Sequence, residues 1–290
     1  INETSMKKIH NHNGWLRILL LILPYIIIVG IFQYVGALIS GVDLSNPEFE
    51  NTSLQELSLS FSSFIGTFLV IGLFMQFVDK EKFIDLGFKT KGKLKEFIVG
   101  IVAGLIVMGL GYYLLSSMGQ LSFQSINFDM QEILISFLLF TIVAIVEETL
   151  LRGYVLRNLM YSFNKYIALI WSSILFSLMH GFNPNIDTFA LIELFLAGIL
   201  LGQSYIYTKN LWFPIALHFS WNFFQTHFGF NVSGQDTYSL IEFSIVENNL
   251  WNGGDFGFEG SWLSIISSII MIILVERYFK KNAIKNSHNT

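Results

Sequence analysis

The chain has 290 residues, of which 53% are hydrophobic and 13% charged, with a mean hydropathy of +0.57 and a net charge of −4. A soluble domain carries about 25% charged residues, so this composition excludes a water-soluble enzyme and describes an integral membrane protein. The absence of cysteine excludes disulfides, thiol catalysis and thiolate metal sites.

A membrane-crossing helix needs about 20 mostly apolar residues. In chain order the apolar stretches predict eight, at approximately 15–39, 58–78, 96–117, 131–156, 165–182, 187–207, 211–228 and 260–279. The first follows Lys7 and Lys8 with no A-x-A site behind it, so it reads as a retained span rather than a cleaved leader. With eight spans, all 17 basic residues fall on one side: Lys7, Lys8 and Arg17, then Lys80 to Lys95, then Arg152, Arg157 and Lys165, then Lys209, and last Arg277 to Lys285. The opposite loops carry acids only, from Asp43, Glu48 and Glu50 through Asp129 and Asp187 to the run from Asp236 to Glu259. The positive-inside rule therefore predicts an all-α protein of eight transmembrane helices with both termini cytoplasmic. Seven or nine spans would scatter the charges. The chain reads as a single polytopic domain over 1–290. The lysines of 89–95 read more simply as a cytoplasmic marker than as a lipid-headgroup site. An outer loop of about 229–259, with Gly253, Gly254 and Gly257 among acids and aromatics, is too long for a simple connection and reads as a lid or interfacial flap. Gly198 and Gly202 form a G-x-x-x-G in the sixth span, a signal for close helix packing.

Six polar residues sit inside these spans: Glu147, Glu148 and Arg152 in the fourth, His180 in the fifth, and His218 and Asn222 in the seventh. Ionisable groups at membrane depth cost roughly 2.5–3.5 kcal/mol each and usually face a partner or a water-filled cavity. Glu148 and Arg152 are four residues apart, share a helix face and predict an ion pair. Glu147 is turned from Glu148 by roughly 100°, which leaves its carboxylate free for chemistry. Phe176 and His180 are one helical turn apart, as are His218 and Asn222, so the last two present donors toward one point. At about 1.5 Å per residue, Glu147, His180 and His218 lie roughly 16, 22 and 12 Å from the cytoplasmic helix ends, depths that helix tilt can bring level. A carboxylate and an imidazole around one water form a general base. Two donors facing a developing oxyanion supply the complementary stabilisation. Ser172, Ser173 and Ser177 near His180 leave a serine nucleophile open as an alternative.

Glu147-Glu148-Thr149-Leu150-Leu151-Arg152, Phe176-Ser177-Leu178-Met179-His180 and His218-Phe219-Ser220-Trp221-Asn222 resemble the three motifs of the CPBP intramembrane proteases. That group includes CAAX prenyl endopeptidases and bacterial proteins linked to bacteriocin processing or self-immunity. The motifs stand in the family's order, on the fourth, fifth and seventh helices, within a core of 131–228. The resemblance implies an endopeptidase, its active site inside the bundle, that cuts a membrane-embedded or lipidated peptide. Glu147 and His180 would activate water, His218 and Asn222 would form the oxyanion site, and Glu148 and Arg152, with Phe176, would support them. It implies hydrolysis without a cofactor; the alternative is Zn²⁺ held by Glu147, His180 and His218. Membrane lipid and a peptide or lipidated protein are the expected partners, a bacterial plasma membrane is the expected location, and no nucleic-acid-binding pattern is present. A proton-coupled transporter and a non-catalytic scaffold or immunity protein use the same residue types. The four prolines stand away from the acidic pair, unlike those of broken transporter helices. Glu193 is assigned to helix pairing and His227 to an interfacial position.

Overall fold

The computed structural model describes residues 13–44 and 51–287, with side chains through residue 282. Lys7, Lys8, Glu48 and Glu50 lie outside the described residues, as does the side chain of Lys285. The described residues form eight helical rods: α1 (Gly14–Ser40), α2 (Ser53–Asp79), α3 (Leu94–Ser117), α4 (Met130–Ser162), α5 (Lys165–Met179), α6 (Thr188–Thr208), α7 (Trp212–His227) and α8 (Trp262–Ser287). Loop residues start several of them. Thr52 and Gln55 close a reciprocal capping box on α2, and the side chains of Asp129, Asn164 and Asp187 accept from the first N–H groups of α4, α5 and α6. These acceptors satisfy donors that a helix start would otherwise leave orphaned.

Six rods, α1, α2, α3, α4, α6 and α8, are long and apolar enough to cross a membrane. Leu19, Leu23, Ile26 and Ile31 of α1 and Ile269, Ile270 and Ile273 of α8 are exposed, a surface that lipid covers. The protein is a multi-pass integral membrane protein. α5 and α7 have 15 and 16 residues and fall short of the predicted spans. α5 ends because the chain turns at His180 and Gly181, whose N–H groups bond the carbonyls of Ser177 and Leu178. Conversely α4 runs six residues past its predicted end, to Ser162.

The predicted outer loop is docked rather than open. Phe230, Phe256 and Phe258 are buried, and Asn183 and Asn185 donate to the carbonyls of Ser233 and Gly234. Gly257 makes the approach possible: its φ is +94°, and a Cβ there would lie 1.9 Å from the carbonyl oxygen of Asn231. Part of the loop also forms a strand that the all-α expectation lacked. β2 (Ile241–Ser244) pairs antiparallel with β1 (Ser122–Ile126), tying the α7–α8 connection to the α3–α4 connection.

Small residues seat α7 against α3. A Cβ on Gly100 would lie 2.9 Å from Ala216, one on Gly104 would lie 2.0 Å from the Ser220 hydroxyl, and Ser220 donates to the Gly100 carbonyl at 3.1 Å. Ala216 and Ser220 occupy one face of α7. His218 and Asn222, offset by two residues and hence by roughly 200°, point away from α3 and into the bundle.

At the other end of α1, Arg17 donates to Asp79 at 2.7 Å, Tyr154 donates to the second Asp79 oxygen at 3.0 Å, and Arg157 pairs with Glu81. This polar knot joins α1, the end of α2 and the last turns of α4. The Asp79 side chain is fully buried, whereas that of Glu81 is 36% exposed. Removing one partner of a buried pair costs about 3–5 kcal/mol, whereas an exposed pair is worth about 0–1 kcal/mol. Asp79→Ala is therefore expected to lower the thermal unfolding midpoint in detergent far more than Glu81→Ala, as followed by intrinsic fluorescence; equal shifts would refute the assignment.

Candidate active site

α4 carries both central acids and changes its winding directly after them. Thr149–Leu156 forms a π-helical stretch, a feature frequent at functional sites. The Ser172 hydroxyl of α5 donates to Leu151 O within this stretch at 3.0 Å, and the Thr149 hydroxyl at its start donates to Ile145 O at 2.6 Å. The serines near His180 are spent in this way. Ser173 and Ser177 donate to the carbonyls of Leu169 and Leu191, and none of the three pairs with a histidine. This arrangement leaves none of the three hydroxyls beside a base.

Glu148 has no exposed surface. Its Oε1 accepts from His218 Nδ1 at 2.9 Å and lies 3.2 Å from Arg152 Nη1. The Arg152 contact satisfies distance but not hydrogen-bond alignment, so it acts chiefly as charge compensation. Arg152 Nη2 donates to the Gly198 carbonyl at 3.2 Å, and its guanidinium carbon sits 4.5 Å from the centroid of the Phe176 ring. The predicted G-x-x-x-G makes that reach possible by bringing α6 against α5: a Cβ at Gly198 would lie 2.8 Å from Ser173, and one at Gly202 would lie 2.6 Å from Leu169. Phe176 also packs on the His180 ring at 4.7 Å and the His218 ring at 6.1 Å.

Glu147 faces elsewhere, as the roughly 100° turn between neighbours requires. Its Oε2 lies 3.8 Å from His180 Nε2 and 3.9 Å from His218 Nε2, and has no hydrogen-bond partner. His180 Nδ1 is 2.8 Å from the Phe176 carbonyl. A carbonyl only accepts, so the ring proton sits on Nδ1 and Nε2 offers a lone pair toward Glu147. A gap of this width admits one water about 2.8 Å from both atoms, at the apex of a triangle. Asn222 is 6% exposed and its amide makes no hydrogen bond among the described residues. Glu147, Phe176, His180, His218 and Asn222 all line one cavity of about 410 Å³, while Glu148 and Arg152 stand behind its wall.

Other acids resolve differently. Glu193 is unexposed and its Oε1 accepts from the hydroxyls of Ser264 and Ser268, joining α6 to α8. His227 is buried beside Phe223 and bonds that residue's carbonyl, away from the cavity. Sequence reasoning missed Glu56, in the first turn of α2, and Glu259, counted there only as an outer-loop charge. Glu259 is 5% exposed, lines the same cavity and accepts from the Ser233 N–H and hydroxyl. Its setting, Gly257-Phe258-Glu259-Gly260, was the available signal: a lone acid flanked by a large aromatic and glycines is poorly suited to an exposed loop tip.

Residues 129–224 match the family model of the Rce1-like type II CAAX prenyl endopeptidases. The match covers about a third of the chain. The matched stretch begins at Asp129, the cap of α4, and ends two residues after Asn222, so all seven residues of the cluster lie within it. No curated protein sequence matches the chain. The cluster gathers its charges around Glu148, so Glu148→Ala would strand buried Arg152 at a cost of about 3–5 kcal/mol. Glu148→Ala is expected to unfold at a markedly lower temperature than Glu147→Ala, whose carboxylate has no hydrogen-bond partner to lose; the reverse order would contradict these assignments.

Proposed function

We propose that the protein hydrolyses a peptide bond of a membrane-embedded or lipidated peptide, using water activated by Glu147 and His180. The observation that carries this reading is the Glu147 Oε2, unpartnered on the cavity wall between two imidazole Nε2 atoms at 3.8 and 3.9 Å. Glu147, assisted by the His180 lone pair, takes a proton from the bound water, and the hydroxide adds to the carbonyl carbon of the scissile bond. The resulting oxyanion is met by the Asn222 amide and by His218. To donate from Nε2, His218 must carry protons on both nitrogens, and the Glu148 carboxylate on Nδ1 is the group that stabilises this imidazolium. The proton taken from water then passes to the leaving amine as the C–N bond breaks, giving a free carboxylate and a new amino terminus.

Eight crossings with cytoplasmic termini, in a bacterial plasma membrane, complete the reading. Two clusters support the eight-crossing arrangement. Arg17, Asp79 and Arg157 gather the ends of α1, α2 and α4, and Lys165, Tyr207 and Glu276 gather those of α5, α6 and α8. The basic residues thus collect where the helix ends meet.

Zinc held by Glu147, His180 and His218 is the competing chemistry. Two bare imidazole nitrogens beside a carboxylate favour it, but among the described residues no group of three or more such side chains has the geometry of a metal site. Cleavage of a lipidated or transmembrane peptide library by the purified protein, read by mass spectrometry, separates these readings. Glu147→Ala and His180→Ala are expected to abolish cutting, and Asn222→Ala to lower kcat by about 10²–10³. Activity retained in Glu147→Ala would sink the mechanism. Loss of cutting with 1,10-phenanthroline, restored by Zn²⁺, would favour the metal.

A further inference from the structure

The cavity holding Glu147 is lined by three carboxylates, Glu56, Glu147 and Glu259, and by no lysine or arginine. Hydrolysis occupies Glu147 alone. The other two stand on the side where α2 and α4 begin: Glu56 is in the first turn of α2, and Glu259 comes from the docked loop between α7 and α8. One Glu259 oxygen is fixed by Ser233, with the N–H at 2.8 Å and the hydroxyl at 3.0 Å, and the other makes no hydrogen bond among the described residues. Glu56 Oε1 accepts from the Asn51 amide at 2.6 Å. Buried, unpartnered polar groups in the same cavity, the Asn222 amide and Glu147 Oε2, mark it as a receptacle for a polar ligand rather than a packing void.

A carboxylate this buried lacks the water that would stabilise its charge, and burial pushes the Glu259 carboxyl above its ordinary range. No lysine or arginine lines the cavity; its His180 and His218 imidazoles oppose the effect of burial on Glu259 only secondarily, and both face Glu147. A cationic ligand group would supply the missing counter-charge, and in a low-dielectric pocket such a charge-assisted contact is stronger than in water.

We propose that Glu259 binds a lysine or arginine side chain of the substrate peptide, with Glu56 steering the same charge at the loop end of the cavity. This makes the substrate class a cationic peptide segment held beside the scissile bond, and it rests on the hydrolytic reading above. The free Glu259 oxygen takes the ammonium or guanidinium hydrogen bond, while Ser233 keeps the carboxylate from turning away.

The test uses membrane-anchored peptides with blocked ends that differ at one position near the cleavage site, carrying Lys, Gln or Glu. Wild-type protein in detergent is expected to cut the Lys peptide with a kcat/KM at least about tenfold above the Gln peptide, with the Glu peptide poorest. Glu259→Gln should bring the Lys-to-Gln ratio close to one, and Glu259→Lys should reverse the order in favour of the Glu peptide. A Lys preference that survives in Glu259→Gln, or its absence in wild type, overturns the proposal. Binding to Glu147→Ala protein, followed by fluorescence anisotropy, separates recognition from catalysis. Tighter binding of the Lys peptide there, lost in the Glu147→Ala, Glu259→Gln double variant, supports the proposal even where no peptide is cut; equal binding of the three peptides refutes it even where cutting occurs. Should Glu259→Gln fail to fold, Glu56→Gln replaces it, and an unchanged Lys-to-Gln ratio then counts against the proposal.

Discussion

A carboxylate with no exposed surface in an apolar bundle has to be compensated, and the arrangement of helices around Glu148 follows from that need. Arg152 supplies the countercharge from the same helix, the His218 N–H supplies a hydrogen bond from α7, and the Gly198 carbonyl on α6 takes one of the remaining guanidinium donors. Phe176 on α5 covers the guanidinium face. Four helices are thereby held around one charge. Such a group is costly to desolvate, so its value lies less in net stability than in permitting one arrangement of α4 to α7 and rejecting others.

That same arrangement separates two adjacent acids into different environments. Glu148 is turned into the bundle and its charge is balanced. Glu147, one residue earlier, opens onto the cavity with its Oε2 unpartnered. The bond from His218 Nδ1 to Glu148 and that from His180 Nδ1 to Phe176 turn both Nε2 atoms toward Glu147. Backbone and second carboxylate thus orient both imidazoles, the kind of preorganisation that the proposed activation of water needs. The small-residue contact between α3 and α7 has the same effect from outside, since Gly100 and Gly104 hold the Ala216 and Ser220 face and leave the His218 and Asn222 face of α7 toward the cavity.

Much of this was legible because membrane solvation is strict. Long apolar runs must be helices, so the eight rods stand close to where the hydropathy pattern put them. Helical periodicity also anticipated the Glu148–Arg152 pair and the outward turn of Glu147, because side chains four apart share a face and neighbours do not. Boundaries were less legible. α5 stops at Met179 because the loop after it descends to wall the cavity, and nothing within residues 165–182 announces that their neighbour will be a docked loop. The π-helical stretch after Glu148 was equally invisible, since donors such as Ser172 come from another helix.

By itself the sequence determined the class of protein, the order of its helices along the chain, and which polar residues had to be explained. These depend on local composition and on a fixed rise and turn per residue. Only the tertiary structure decided that Glu148 binds His218, that the nearby serines are consumed by backbone carbonyls, and that Glu259 belongs to the cavity. Those outcomes rest on side chains separated by tens of residues, and no periodicity within a single helix specifies which of its neighbours will complete a buried charge.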